Sequence, residues 1–225
     1  MGKNKNLLKL GVLVSGSGSN LQSIIDNIND GKLKAKIEVV VSNIPEVFAL
    51  ERAKKNNIPV EVIEHTKFET REAYDTELVS VLKRYKVELV VMAGFMRILS
   101  SVLLRAFHLR IMNIHPALLP SFPGLHVQKK ALEYGVKFSG CTVHFADEGT
   151  DTGPIIIQGI VPVYDDDTAD TLAQRILREE HKIYPQAIQL FAEGRLEIRE
   201  RRVFVKNGER VPEVSMLNPP YLLGK

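Results

Sequence analysis

Short apolar runs alternate with longer amphipathic segments along most of the chain. The runs Leu10–Ser15, Ile37–Ser42, Val60–Ile63, Leu89–Ala93 and Ile111–Ile114 predict strands, as do Gly140–Phe145 and Ile155–Val163. Helices are predicted between them at Asn20–Asn29, Glu46–Lys55, Glu69–Tyr85, Ser100–Phe107 and Val127–Tyr134. Several strands are continuous apolar runs rather than alternations, as a parallel sheet covered on both faces requires. This rhythm predicts an α/β chain built on a mostly parallel, doubly wound sheet.

After Phe138 the rhythm changes. Two strands follow with no helix between them, so the C-terminal part of the sheet is expected to be mixed. A long helical stretch, Thr168–Gly194, comes next, with Pro185 expected to break or kink it. Glu197–Val205 with Asn207-Gly208 suggests a terminal hairpin. The tail Pro212–Lys225, with three prolines and little periodicity, is expected to be loosely held. No repeat, heptad or Pro/Gly/Ser linker interrupts the pattern, so residues 1–225 are expected to form one domain.

Composition narrows the class. Charged residues make up 25% and hydrophobic residues 44% of the 225, which excludes collagen, low-complexity disorder and a disulfide framework. The net charge of +3 is too small to indicate a nucleic-acid partner, although the excess of basic residues suits an anionic ligand. The single cysteine, Cys141, has no internal partner and reads as a buried, inert thiol on a strand. A reducing compartment, the cytoplasm, is expected. The run from Leu10 to Val14 is far too short for a signal or a membrane span, so no membrane partner is expected.

Three stretches carry candidate chemistry. In GVLVSGSGSNLQSII a strand meets a glycine turn and a helix start. Gly16 and Gly18 permit positive φ and close backbone approach, Ser19 or Asn20 can cap the helix, and free N–H groups there favour a phosphate. Leu21 stands where a dinucleotide fingerprint needs its third glycine, no Lys-Ser or Lys-Thr follows, and the serines do not fit a nucleophile elbow. A plain tight turn and an anion site both remain open for this segment taken alone.

In RIMNIHPALLPSFPGLH, Asn113 and His115 share one face of a strand about 7 Å apart, at its C-terminal end, where open α/β sheets bind ligands. Such a pair can donate to a developing oxyanion, and the His can also move a proton. In HFADEGTDTGPIIIQ, Asp147, Glu148 and Asp151 crowd a loop between two strands, and an Asp beside an imidazole raises its pKa and orients it. The six histidines show no zinc spacing and no cysteine pair exists, so no metal is expected. Asp165-Asp166-Asp167 reads as a solvated turn, and Arg195–Arg202 as an exposed edge strand.

Taken together, the motifs SGSGSNLQ, TREAYD, AGFMRIL, NIHPALLPSFPGLH, HFADEGTDTGPIIIQ and REEHKIYP resemble the family of folate-dependent phosphoribosylglycinamide formyltransferases of purine biosynthesis. The resemblance runs from about Leu10 to about Arg210 and implies a single Rossmann-like domain. It implies a co-substrate, 10-formyltetrahydrofolate, and small-molecule partners only, in a monomer or homodimer. It further implies that Gly18, Ser19 and Asn20 hold the phosphate of glycinamide ribonucleotide, with Glu180 and the preceding Leu177, Arg178 and Glu179 against the same substrate. The folate site would be lined by Arg71, by Met96, Arg97, Ile98 and Leu99, by Asn113, and by Asp147, Glu148, Gly149, Thr150 and Asp151. Asn113, His115 and Asp151 would be catalytic, His115 as the acid and Asp151 as the group that raises its pKa. Family members often carry Ser where this chain has Ala117, which removes one loop hydroxyl.

Two other readings compete. Methionyl-tRNA formyltransferases and formyltetrahydrofolate hydrolases resemble the Asn-x-His and Asp segments, but typically carry a further domain for which this length leaves no room. A non-catalytic phosphate-binding module explains the glycine loop but gives no reason for Asn113, His115 and Asp151 together.

Overall fold

Along the inner strands, successive side chains enter two different cores. In β1 (Leu8–Val14), Leu10, Val12 and Val14 join one core and Leu13 the other; in β4 (Leu89–Met92), Leu89 and Val91 oppose Val90 and Met92. That split is the two-face burial which makes these strands continuously apolar. The structure, a computed structural model, describes residues 7–208, 213 and 216–218.

The remaining strands are β2 (Ala35–Ser42), β3 (Val60–Val62), β5 (Ile111–His115), β6 (Phe138–Phe145), β7 (Ile155–Pro162), β8 (Leu196–Arg199) and β9 (Arg202–Val205). They form one sheet in the order β3-β2-β1-β4-β5-β6-β7-β9-β8. Strands β1 to β5 pair in parallel, β6 lies antiparallel to both β5 and β7, and β8–β9 is an antiparallel hairpin. The expected parallel sheet with a mixed C-terminal part is therefore the observed one. Helices α1 (Ser19–Asn29), α2 (Phe48–Lys55), α5 (Val127–Tyr134) and α6 (Ala169–Ala192) contribute to one core; α3 (Arg71–Arg84) and α4 (Ser101–Ala106) cover the other face. Strand order reverses between β1 and β4, so a crevice opens beyond their C-terminal ends, the position at which open α/β sheets bind ligands. No helix among the described residues is long and apolar enough to cross a membrane.

Several local expectations are corrected. Helix α6 runs unbroken through Pro185. The proline removes the amide that would bond the His181 carbonyl four residues earlier, and the Ser23 hydroxyl on α1 donates to that carbonyl instead, at 2.8 Å. Neither Ser19 nor Asn20 caps α1: the cap position is Gly18 in the left-handed region, with no side-chain cap bond. The terminal hairpin turns at Glu200-Arg201, and Asn207-Gly208 follows its second strand. Asp167 is no solvated turn residue. Its carboxylate is held by Arg175 at 2.6 and 2.8 Å, and this pairing keeps it far below the usual carboxylate range. Most of the tail 212–225 lies outside the described residues; within it, Asn218 donates to the carbonyls of Lys137 and Val163. Cys141 is buried as expected, and burial pushes its thiol up to about 12.

The α1–α6 contact makes a test. Ser23→Ala should destabilise the chain by about 1–2 kcal/mol in denaturant unfolding, because the His181 carbonyl loses its donor. In a Pro185→Ala background the restored amide serves that carbonyl, and the same Ser23→Ala change should cost clearly less.

Candidate active site

The C-terminal ends of β1 and β4 carry the glycine loop and the segment Ala93–Leu99. Ser15, at the end of β1, joins them. Its amide donates to the Gly94 carbonyl at 3.1 Å, while its hydroxyl donates to Asn43 at 2.6 Å and accepts from the Met96 amide at 2.9 Å. Between them lies a cavity of about 180 Å³ lined by residues 15–20 with Ala93, Gly94 and Met96. The substrate residues expected here, Gly18, Ser19 and Asn20, all line it. Gly18 has φ +71°, and a Cβ on it would meet the Ala49 Cβ at 2.6 Å. Glycine is required there by the approach of α2, whereas a Cβ on Gly16 would meet open space.

Helix α6 reaches this loop through one side chain. Glu180 is buried and accepts from Asn20 Nδ2 at 2.7 Å; burial pushes its carboxyl up in spite of that bond. Asn20 Oδ1 is buried without a hydrogen-bond partner among the described residues. The neighbouring expectations fare differently: Arg178 is exposed, Glu179 is half-buried and paired with Lys182 at 2.7 Å, and Leu177 is half-buried.

A second cavity, of about 80 Å³, adjoins the first. Its wall includes Arg97, Ile98 and Leu99, then Asn113 and His144, then Asp147, Glu148, Gly149, Thr150 and Asp151. Met96 lines the first cavity and the next residue, Arg97, lines the second, so the two meet along this segment. The expected folate residues are thereby gathered, with two exceptions. Met96 belongs to the glycine-loop cavity, and Arg71 is exposed at the first turn of α3, outside this wall. The wall is held from behind by the same helix: Arg97 stacks over Tyr74 at 4.5 Å, and buried Asp75 accepts from the Ser100 amide at 2.6 Å.

Asn113, His144 and Asp151 line the floor of the second cavity and meet a fourth side chain, His115, behind it. Asn113 and His115 share the face of β5 that Ile111 turns toward α3 and α4, and the antiparallel register sets His144 of β6 directly opposite Asn113. Asn113 Nδ2 lies 3.1 Å from His144 Nε2 and donates to Asp151 Oδ1 at 3.3 Å. His115 Nδ1 lies 3.3 Å from Asp151 Oδ2, which also accepts from the Gly124 amide at 2.9 Å. His144 Nε2 stands 3.7 Å from Asp151 Oδ1, an ion-pair distance. Burial pushes the Asp151 carboxyl up, but His144, the Gly124 N–H and the positive charge available on both imidazoles outweigh burial and hold it below its ordinary value. Asp151 itself has φ +56°, a left-handed conformation that Asp tolerates better than most residues.

His115 is 4% exposed and lies behind the segment after β5. Its Nε2 faces the Phe122 carbonyl at 2.8 Å, so each ring nitrogen has an oxygen acceptor in reach. Thr142 pins that segment, donating to the Ala117 carbonyl and accepting from the Leu119 amide. Sequence reasoning passed over His144, Thr142 and the backbone groups of Phe122 and Gly124. All four reach the site through the β5–β6 register or a loop return, for which no spacing in the sequence stands as a signal.

The family described as formyl transferase matches residues 8–188. The chain is 44% identical over 201 residues to phosphoribosylglycinamide formyltransferase from Escherichia coli (strain K12), covering 89% of this chain and 94% of the relative. It is 50% identical over 188 residues to the trifunctional purine biosynthetic protein adenosine-3 of Drosophila melanogaster, covering 83% of this chain and spanning 14% of that protein's length. Among solved structures, glycinamide ribonucleotide transformylase 1 from Symbiobacterium toebii matches with a TM-score of 0.88 at 48% identity, over 91% of this chain and 96% of that one.

The Asp151 and Glu180 carboxylates predict opposite pH signatures. The Asp151 value is lowered on folding, so its contribution is present above about pH 4 and lost as pH falls through the folded value. Asp151→Asn should therefore lose stability against the parent at neutral pH, with the gap narrowing in acid. The Glu180 value is raised on folding, so its charge costs stability as pH rises through the folded value. Glu180→Gln should gain on the parent as pH rises from about 4 to 7. Denaturant unfolding of both variants across that range measures the two slopes, and slopes of the same sign would refute the assignment.

Proposed function

Because the chain belongs to the formyl transferase family, we propose that it transfers the formyl group of 10-formyltetrahydrofolate to the amine of glycinamide ribonucleotide. The products are formylglycinamide ribonucleotide and tetrahydrofolate, a step of purine biosynthesis. The observation that carries this reading is the pair of adjoining cavities, one walled by a glycine loop at a helix start and one floored by Asn113, His144 and Asp151. In the same reading the enzyme works in the cytoplasm, as a monomer or homodimer, on two small molecules.

Each cavity suits one substrate. The loop amides and the start of α1 offer donors to a phosphate, and Glu180 with the unpaired Asn20 Oδ1 offers acceptors to hydroxyl or amide groups of the same molecule. The other wall exposes Ile98, with Met96 exposed at the boundary, which supplies apolar surface to a flat ring system, and the Asp147–Asp151 loop supplies polar contacts.

The amine attacks the formyl carbon directly, so the chain need not supply a covalent nucleophile. Asn113 lines the cavity, and both N–H groups of its Nδ2 are engaged in the free chain, by His144 Nε2 and Asp151 Oδ1; one of them turns to the formyl oxygen to stabilise the negative charge that develops there. Until then His144 and Asp151 hold the Asn113 amide in place. His115 supplies the second donor and moves the proton from the attacking amine to the leaving nitrogen, with Asp151 bracing Nδ1. Its Nε2 is engaged by the Phe122 carbonyl in the free chain, so the segment after Pro120 gives up that bond when substrate takes its place.

Purified chain mixed with glycinamide ribonucleotide and 10-formyltetrahydrofolate should yield formylated nucleotide and tetrahydrofolate in equal amounts. Release of formate with the nucleotide unchanged, or no turnover, would sink the reading. Asn113→Ala and His115→Ala should each lower kcat by roughly 10²–10³-fold with modest change in KM, the usual cost of about 3–4 kcal/mol for one lost oxyanion donor. The double variant should lose less than the product of the single losses, because the two groups act on one oxygen. If both variants kept kcat and lost only nucleotide affinity, the pair would belong to binding.

A further inference from the structure

Both carbonyls at the tip of the glycine loop are held from outside by one helix. The Ala49 amide in the first turn of α2 donates to the Gly16 carbonyl at 3.1 Å, and Arg52 Nε one turn later donates to the Ser17 carbonyl at 2.9 Å. In a planar trans peptide the N–H points opposite to the C=O. Turning the Gly16 and Ser17 carbonyls toward α2 therefore turns the Ser17 and Gly18 amides away from it. Ser17 and Gly18 both line the glycine-loop cavity, and among the described residues neither amide has a protein acceptor. Gly18 completes the seat, since its α-carbon lies against Ala49 with the Arg52 stem close by.

Arg52 is itself fixed. Its Nη1 donates to Gln22 Oε1 on α1 at 3.1 Å, Gln22 is braced by Asp26 at 2.9 Å, and the Phe48 ring lies 4.6 Å from the guanidinium. This accounts for the half-exposed Phe48, an apolar side chain with no place in either core. A guanidinium presents several donors in a rigid fork, so it can bind the loop through Nε and α1 through Nη1 at once; an ammonium on a flexible stem cannot hold both directions.

We infer that Arg52 is a positioning residue for the phosphate site: by holding the Ser17 carbonyl outward, it aims the loop amides at a phosphate monoester in the cavity. It does so from behind the loop and lies outside the cavity's lining. The inference rests on the proposed function for the identity of the substrate, but not for the presence of an anion site.

Arg52→Lys keeps the charge and removes the fork. It should raise KM for glycinamide ribonucleotide about tenfold, the order of one charge-assisted hydrogen bond, with kcat and the folate KM close to the parent's. The dephosphorylated riboside should be turned over equally by parent and variant, so the preference for the phosphorylated substrate should shrink by the same factor. Independently, titration of ¹⁵N-labelled chain with inorganic phosphate should shift the Ser17 and Gly18 amide signals in the parent and do so more weakly in Arg52→Lys. The proposal is overturned if Arg52→Lys matches the parent in nucleotide KM and in phosphate titration, which would make charge alone sufficient. It is equally overturned if the losses on nucleotide and riboside are the same, which would make the role purely structural. Should the parent itself fail to formylate the nucleotide, the proposed function falls, and the phosphate titration still decides the role of Arg52.

Discussion

Four groups from three stretches of chain converge on the two oxygens of Asp151. Asn113 and His115 come from the end of β5, His144 from the facing position of β6, and the Gly124 amide from the loop after Pro120. A carboxylate that is mostly shielded from water is stable as an anion only while such donors and cations surround it, and its lowered proton affinity reflects that. The dependence runs both ways. Without the carboxylate at Asp151, the Asn113 amide would keep only its His144 partner, and the Gly124 amide would lose its acceptor. A left-handed backbone at residue 151 brings the carboxylate back across the ends of β5 and β6, and the Asp147 turn before it, closed by Gly149 and Thr152, sets up that return.

The glycine-loop cavity follows a different logic. There the chain leaves donors unpaired on the inside by pairing the opposite ends of the same peptides on the outside. Helix α2 binds the loop's carbonyls, α6 brings Glu180 to Asn20, and α1 and α6 are joined where Ser23 replaces the amide that Pro185 lacks. At the sheet beneath, the Tyr184 hydroxyl lies 3.0 and 2.9 Å from the carbonyls of Met92 and Met112, spanning the strand ends that precede Ala93 and Asn113. The long helix thus touches both halves of the site through Glu180 and Tyr184, four residues apart on one face.

The alternation of β-branched runs with amphipathic segments was enough to determine the α/β class, the parallel half of the sheet and its mixed C-terminal part, because apolar periodicity reports directly on which faces are buried. It also determined that Asn113 and His115 share a strand face, since residues two apart on a strand must. The glycine turn at a helix start and the acidic loop between two strands were legible for similar reasons: each depends on contacts within a few residues. What no local pattern determined was partnership across the sheet and between helices. The position of His144 opposite Asn113 follows from antiparallel register, a property of two strands 31 residues apart. Pro185 sits inside an unbroken helix because a serine 162 positions earlier supplies the missing donor, and Gly18 is required by the approach of Ala49 rather than by the ligand alone. Nothing local marks Arg52 among the basic residues of its helix; only packing brings it to the Ser17 carbonyl. Local chemistry named most of the groups; long-range packing decided which of them face each other, because hydrogen bonds and close contacts depend on distances that only the folded chain defines.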